Sequence, residues 1–259
     1  MAVMTTRRAI VRRGVNAPDD LAVESPLVLG LDGEAVATLM RTPGHDLELA
    51  AGWLTVESGV RRPDDIIQLR SCREDDTDRV HLTLAPGVEP PRPRAFVTSA
   101  ACGVCSADVL DLAPLRRAEP HTPGWTVAGD VIAGLPDALR ERQRAFSKTG
   151  GLHAAALARA DGSLISAFED VGRHNAVDKV VGRALLDGLL PATDHLLVVS
   201  GRVSFEIVQK AVAAGVAGIV AVSAPSSLAV DLAREYGLLL AGMVRGGSLN
   251  VYAEADLVT

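Results

Sequence analysis

The stretch Glu169-Asp170-Val171-Gly172-Arg173-His174-Asn175-Ala176-Val177-Asp178-Lys179-Val180-Val181-Gly182 joins an apolar run to an amphipathic one. Ahead of it, residues 153–157 and 163–168 flank Asp161-Gly162, a strong hairpin signal. Behind the polar turn, Val177, Val180, Val181, Ala184 and Leu185 share one face, which predicts a helix over 176–189. The same alternation continues downstream. Strands are predicted at 196–199, 217–222, 238–241 and 249–252, and helices at 203–214 and 226–236, ended by Gly215 and Gly237. Strands separated by single helices imply a mixed or parallel sheet with flanking helices, so the fold class is α/β. A further helix is predicted over 136–146.

Upstream the texture changes. Residues 21–31 and 35–41 read as strands about Leu31-Asp32-Gly33, and Pro43-Gly44 then breaks the chain. A helix follows over 46–57 with Asp46 as its expected cap. Residues 66–71 and 80–84 read as an antiparallel pair joined by a polar turn over 73–78. Residues 92–123, with several prolines and two clustered cysteines, read as a long loop, of the kind that is either functional or disordered. The chain thus divides into a smaller strand-rich region, 1–125, and an α/β unit, 126–259.

The 259 residues carry a formal charge of −6, 48% hydrophobic and 3% aromatic residues, enough to bury a core built from Ala, Val and Leu. Three cysteines cannot staple such a chain, so it is not a disulfide scaffold. The acidic balance argues against bulk nucleic-acid binding, though an arginine site for a phosphate is compatible with it. Arg7, Arg8, Arg12 and Arg13 precede no apolar targeting segment, and no run is long enough to span a membrane. The expected setting is cytoplasmic, where thiols stay reduced.

Cys102-Gly103-Val104-Cys105 is the sharpest chemical feature. Two thiols on a small-residue loop suit a redox pair, half of a zinc site or a sulfur-transfer nucleophile. The ordinary alternative, two buried cysteines, fits poorly beside Thr98, Ser99, Gly103 and Ser106. No second C-x-x-C supplies further zinc ligands, Cys72 reads as a buried structural thiol, and His81 and His121 have no ligand-like spacing. Phosphate loops of the G-x-x-x-x-G-K-[ST] and G-x-G-x-x-G kinds are absent. Weaker anion candidates are 223–227, which opens a helix, and Met243-Val244-Arg245-Gly246-Gly247-Ser248, where an arginine stands among small residues. Taken singly, a helix cap and an ordinary turn explain them better. The 169–175 turn sits where α/β folds place active sites, or is a solvated loop capped by Asp170 or Asn175. His153 alone reads as a satisfied core histidine, and Glu206 as a first-turn carboxylate of its helix.

Together these stretches resemble the FdhD family, sulfurtransferase accessory proteins of formate dehydrogenases. The matching segments are RTPGHDLELAAGWL (41–54), CGVC (102–105), GGLHAAAL (150–157), EDVGRHNAVDKVVG (169–182), SGRVSFEIVQKA (200–211), SAPSSLAV (223–230) and the RG…NVY ending (245–252). They are collinear over most of the chain, and the fourth and fifth are highly specific. The resemblance implies a cytidine deaminase-like fold for the larger unit. It implies a sulfur carrier that takes a persulfide sulfur from a cysteine desulfurase on Cys102. The sulfur then passes to the molybdenum cofactor, as bis(molybdopterin guanine dinucleotide), for formate dehydrogenase. Cys105 matches the second loop cysteine. Met243, Val244, Arg245, Gly246, Gly247 and Ser248 match the cofactor-binding region, where a guanine nucleotide would bind as a mimic. A homodimer is implied too. No zinc is expected, because His153 is followed by Ala154-Ala155 where a deaminase needs a glutamate, and 200–202 holds no cysteine. Departures from the pattern are Ala100-Ala101, Ser106 and the Pro-rich 86–93 stretch. Two other classes stay open: a non-catalytic cofactor-binding chaperone, and a thiol-disulfide oxidoreductase using Cys102 and Cys105.

Overall fold

A computed structural model of the chain describes residues 3–91, 97–98 and 124–259. The chain begins with a hairpin, β1 (Thr5–Arg12) and β2 (Val15–Ala22). Then come β3 (Ser25–Leu31), β4 (Glu34–Arg41), α1 (Asp46–Glu57), β5 (Ile66–Glu74), β6 (Thr77–Leu84) and β7 (Val97–Thr98). The second half runs α2 (Gly129–Arg142), α3 (Arg144–Thr149), β8 (His153–Arg159), β9 (Leu164–Asp170), α4 (Arg173–Leu186), β10 (His195–Val199) and α5 (Phe205–Ala214). It ends with β11 (Gly218–Ala221), α6 (Ser227–Glu235), β12 (Leu239–Arg245) and β13 (Ser248–Ala253).

The second half builds a six-stranded sheet in the order β13-β12-β11-β10-β8-β9. β10, β11 and β12 run parallel to one another, while β8, β9 and β13 pair antiparallel. Its central strands are almost uniformly apolar because both faces are covered. Alternate residues separate cleanly: Ala154, Ala156, Leu196, Val198, Val220 and Leu239 pack with Leu135 and Leu139 of α2. Ala155, Leu157, Leu197, Val199 and Ile219 pack against α4, α5 and α6. The mixed α/β class expected from the alternation is the observed one.

The first half forms a five-stranded sheet, β5-β6-β3-β4-β7, whose inner residues Leu27, Leu29, Val80 and Leu82 join the same core as α4 and α5. One continuous apolar core therefore runs through both halves, with α1 lying between that sheet and α4. α1 and α4 cross at Gly52 and Gly182. A methyl group at Gly52 would stand 1.9 Å from the Asp178 carbonyl oxygen, and one at Gly182 would stand 1.8 Å from that of Glu48. Backbone meets backbone here, a contact that only glycine permits.

Several local expectations change. Pro136 lies inside α2 rather than at its start, and a second short helix follows it. Asp46 opens α1 but does not cap it: His45 is the cap position, and the Asp46 carboxylate binds Arg41 at 2.9 Å instead. The β5–β6 connection is not a long polar turn. Asp75 and Asp76, both at positive φ, close it in two residues. β4 starts at Glu34, and the β1–β2 hairpin had no counterpart in the hydrophobic pattern.

Gly52→Ala and Gly182→Ala each force the two helix backbones apart. We expect each to destabilise the chain at or beyond the upper end of the ~1–3 kcal/mol typical of overpacking. Urea denaturation of the two variants checks this, and an unchanged midpoint in either would refute the crossing.

Candidate functional site

The 169–175 turn is neither solvated nor a simple cap. Asp170 is fully buried and accepts four hydrogen bonds, from Lys179 Nζ at 2.7 Å, Gly172 N at 2.8 Å, Asn175 Nδ2 at 3.0 Å and Thr42 N at 3.1 Å. Lys179, equally buried, also donates to the Thr42 carbonyl at 2.9 Å, and Asn175 to that of Met40 at 2.8 Å. The Thr42 hydroxyl accepts in turn from Val171 N. The carboxylate thus fastens the end of β4 to the turn between β9 and α4, and its donors satisfy a charge that burial would otherwise penalise. Glu169 faces the other way. Its two oxygens accept from Ala145 N at 2.9 Å and Phe146 N at 2.6 Å, which secures the start of α3.

Arg173 and His174, the other polar residues of the turn, approach the 201–206 segment instead. His174 Nε2 lies 3.0 Å from Glu206 Oε2 and 3.2 Å from Ser204 Oγ. That hydrogen bond holds the Glu206 carboxyl below its usual range, against the opposing effect of burial. Arg173 runs past Gly201 beside His153, and its enclosed Nε has no hydrogen-bond partner among the described residues. Burial, reinforced by the charges of Arg173, His174 and Arg202, pushes the His153 pKa below its usual range. His153 is accordingly no satisfied core histidine. It lines an open cavity.

That cavity, about 580 Å³, lies outside the carboxyl ends of β10, β11 and β12, marked by Ser200, Val222 and Val244-Arg245. α2 and α3 close its far side with Leu139, Arg140 and Phe146, the Arg140 guanidinium stacked 4.8 Å from the Phe146 ring centre. Its volume is in the range of small-molecule sites, and strand ends are where α/β sheets bind ligands. Apolar walls with Arg140 and Arg245 at the rim suit an anionic ligand with a flat apolar part.

The sequence-derived candidates are placed unequally. Val244, Arg245 and Gly246 line the cavity. Val244 is buried and Arg245 is exposed at the end of β12, where Gly246 and Gly247, at φ +57° and +77°, make the tight turn into β13. Met243, Gly247 and Ser248 are outside the lining. Ser226 is an ordinary helix cap, its hydroxyl accepting from Ala229 N. Cys102 and Cys105 lie outside the described residues, as does His121. Cys72 is not buried among apolar groups: it is half-buried on the edge strand β5, with His81 and Glu74 beside it. Partial burial and the adjacent Glu74 carboxylate hold its thiol above the usual range, the wrong direction for a nucleophile. Sequence reasoning missed Arg140 and Phe146, which no local motif marks, and the proximity of His81 to Cys72, which the hairpin register creates.

The fold and cavity define a mixed α/β protein with an open cavity at its strand ends. The model of the FdhD/NarQ family matches residues 22–259, and the chain belongs to that family. It is 47% identical to a protein of Streptomyces coelicolor named sulfur carrier protein FdhD, over 100% of this chain and 97% of that one. Proteins of the same name from Anaeromyxobacter dehalogenans and Mycobacterium tuberculosis are 46% and 43% identical, covering 96% and 95% of this chain and 92% and 94% of theirs. In fold it is similar to a crystal structure of a proposed formate dehydrogenase accessory protein from Desulfotalea psychrophila, with a TM-score of 0.78 and 22% identity over 98% of both chains.

Lys179→Met leaves Asp170 buried without its countercharge. The expected loss is about 3–5 kcal/mol, read as a fall in the denaturation midpoint. A loss under about 1 kcal/mol would place the two groups outside a buried pair.

Proposed function

We propose that this chain is a sulfur carrier for the molybdenum cofactor of formate dehydrogenase, working in the cytoplasm. The observation that carries the reading is the strand-end cavity edged by Arg245, in a chain whose full-length relatives are named sulfur carriers. Cys102, as thiolate, attacks the outer sulfur of a cysteine desulfurase's persulfide. A new S–S bond forms on Cys102, the donor's S–S bond breaks, and the donor cysteine leaves as thiolate, with no net redox change. The cofactor, as substrate, lies in the cavity with a phosphate near Arg245 and Arg140 and the guanine arm along the Phe146 wall. Cys105 and a homodimeric assembly belong to the same reading, Cys105 as the second thiol of the loop.

One feature supports a bound anion there: Arg245 is exposed at the cavity mouth, within the lining, where it can reach a phosphate. No described helix is long and apolar enough to cross a membrane.

The test is maturation of formate dehydrogenase in cells lacking their own carrier, complemented with the full chain. Cys102→Ala should abolish activation. Arg245→Ala should weaken binding of guanosine diphosphate to the purified chain by about tenfold or more, the worth of one charge-assisted contact. Full activation by Cys102→Ala would replace the carrier by a non-covalent cofactor chaperone. Unchanged nucleotide affinity would move the cofactor out of this cavity.

A further inference from the structure

Three donor atoms of different kinds converge on the outer face of the first sheet, remote in sequence from every stretch assigned to sulfur transfer. Cys72 Sγ lies 3.1 Å from His81 Nε2 and 3.4 Å from Glu74 Oε1, and His81 Nε2 lies 3.0 Å from the same carboxylate oxygen. The hairpin register produces this. Cys72 and Glu74 are two residues apart on β5 and share a face. His81 pairs with Arg70 on the neighbouring strand, diagonal to Cys72 and on that same face. Val80 and Leu82, on either side of His81, point into the core and fix the hand of the alternation. Gly30, opposite His81 on β3, carries no side chain to crowd the imidazole.

We propose that Cys72, Glu74 and His81 form a zinc site with one coordination position left to water. Ordinary zinc–ligand bonds to sulfur, nitrogen and oxygen place tetrahedral donor atoms about 3.3–3.6 Å apart. The observed triangle of 3.4, 3.1 and 3.0 Å needs only a few tenths of an ångström of opening. Thiolate, imidazole and carboxylate together select zinc or a similar borderline ion over magnesium or calcium. The charges also close: two anionic ligands and a neutral histidine balance a divalent ion, and the Cys72 proton leaves to solvent on binding. Arg79 faces the site from the opposite strand, but its guanidinium binds the other Glu74 oxygen, Oε2, at 3.3 Å and leaves Oε1 for the metal. Arg70 is the other cation on this face. A zinc site here departs from the expectation of no zinc, which rests on the residues after His153 and at 200–202 and does not weigh this cluster.

The experiment uses the full chain carrying Cys102→Ala and Cys105→Ala, so that only Cys72 offers a thiolate, and cobalt(II) as the spectroscopic probe. One equivalent of cobalt should give a thiolate-to-metal charge-transfer band, displaced by zinc. Adding Cys72→Ser should abolish the band. Adding His81→Gln should weaken cobalt affinity by more than the ~10–100-fold typical of outer-shell changes. Absence of the band in the parent variant, or its survival in Cys72→Ser, overturns the site. Alkylation of Cys72 by iodoacetamide gives a second readout that needs no substitution at the site: stoichiometric zinc should suppress it, and an unchanged rate overturns the proposal.

Discussion

A single buried carboxylate sets the geometry on which the rest depends. Asp170 sits with no access to solvent, and its lysine partner is equally enclosed. Isolated, either charge would be costly to bury, so the fold is committed to delivering every donor to that point. Those donors come from the end of β4, from the turn after β9 and from α4. Satisfying them fixes the turn that carries Arg173 and His174, and it points Glu169 toward the start of α3. The α3 wall of the cavity, which carries Phe146, is therefore positioned by the same constraint.

The second constraint is steric and lies one helix turn away. Asp178 and Gly182 sit on the same helix as Lys179, and α1 presses its Gly52 against them. Lys210 of α5 holds Asp178 from the other side at 2.7 Å. The two sheets thus act on the site through a shared spine of α1 and α4 rather than as separately folded bodies. β7 extends the link: Val97 and Thr98 pair with Thr38 and Leu39 of β4, the strand whose end bonds Asp170. The chain is pinned to this frame at Thr98, four residues before Cys102.

How far the sequence discloses this depends on the physical signal each part leaves. Alternating apolar strands and helices in 153–252 leave a periodic signal, and the sheet matches it with boundaries moved by a few residues. The β1–β2 hairpin leaves almost none, because its residues are largely exposed and Pro18 interrupts β2. Pro136 reads as a helix start by local rules, yet it lies inside α2, where packing outweighs them. At the site, Arg245 was legible from its small neighbours. The motif 169–175 was legible as important but not as divided, because nothing in its order separates Asp170, held by structure, from Arg173. Arg140 and Phe146 come from a distant helix pair, and only the tertiary fold brings them to Arg245.

The central claim is covalent sulfur on Cys102. Intact-protein mass spectrometry after incubation with a cysteine desulfurase and cysteine tests it most directly. The account predicts a gain of one sulfur atom in the wild-type chain and in Cys105→Ala, and none in Cys102→Ala. No gain in the wild-type chain beside an active desulfurase, or a gain that survives Cys102→Ala, would contradict it.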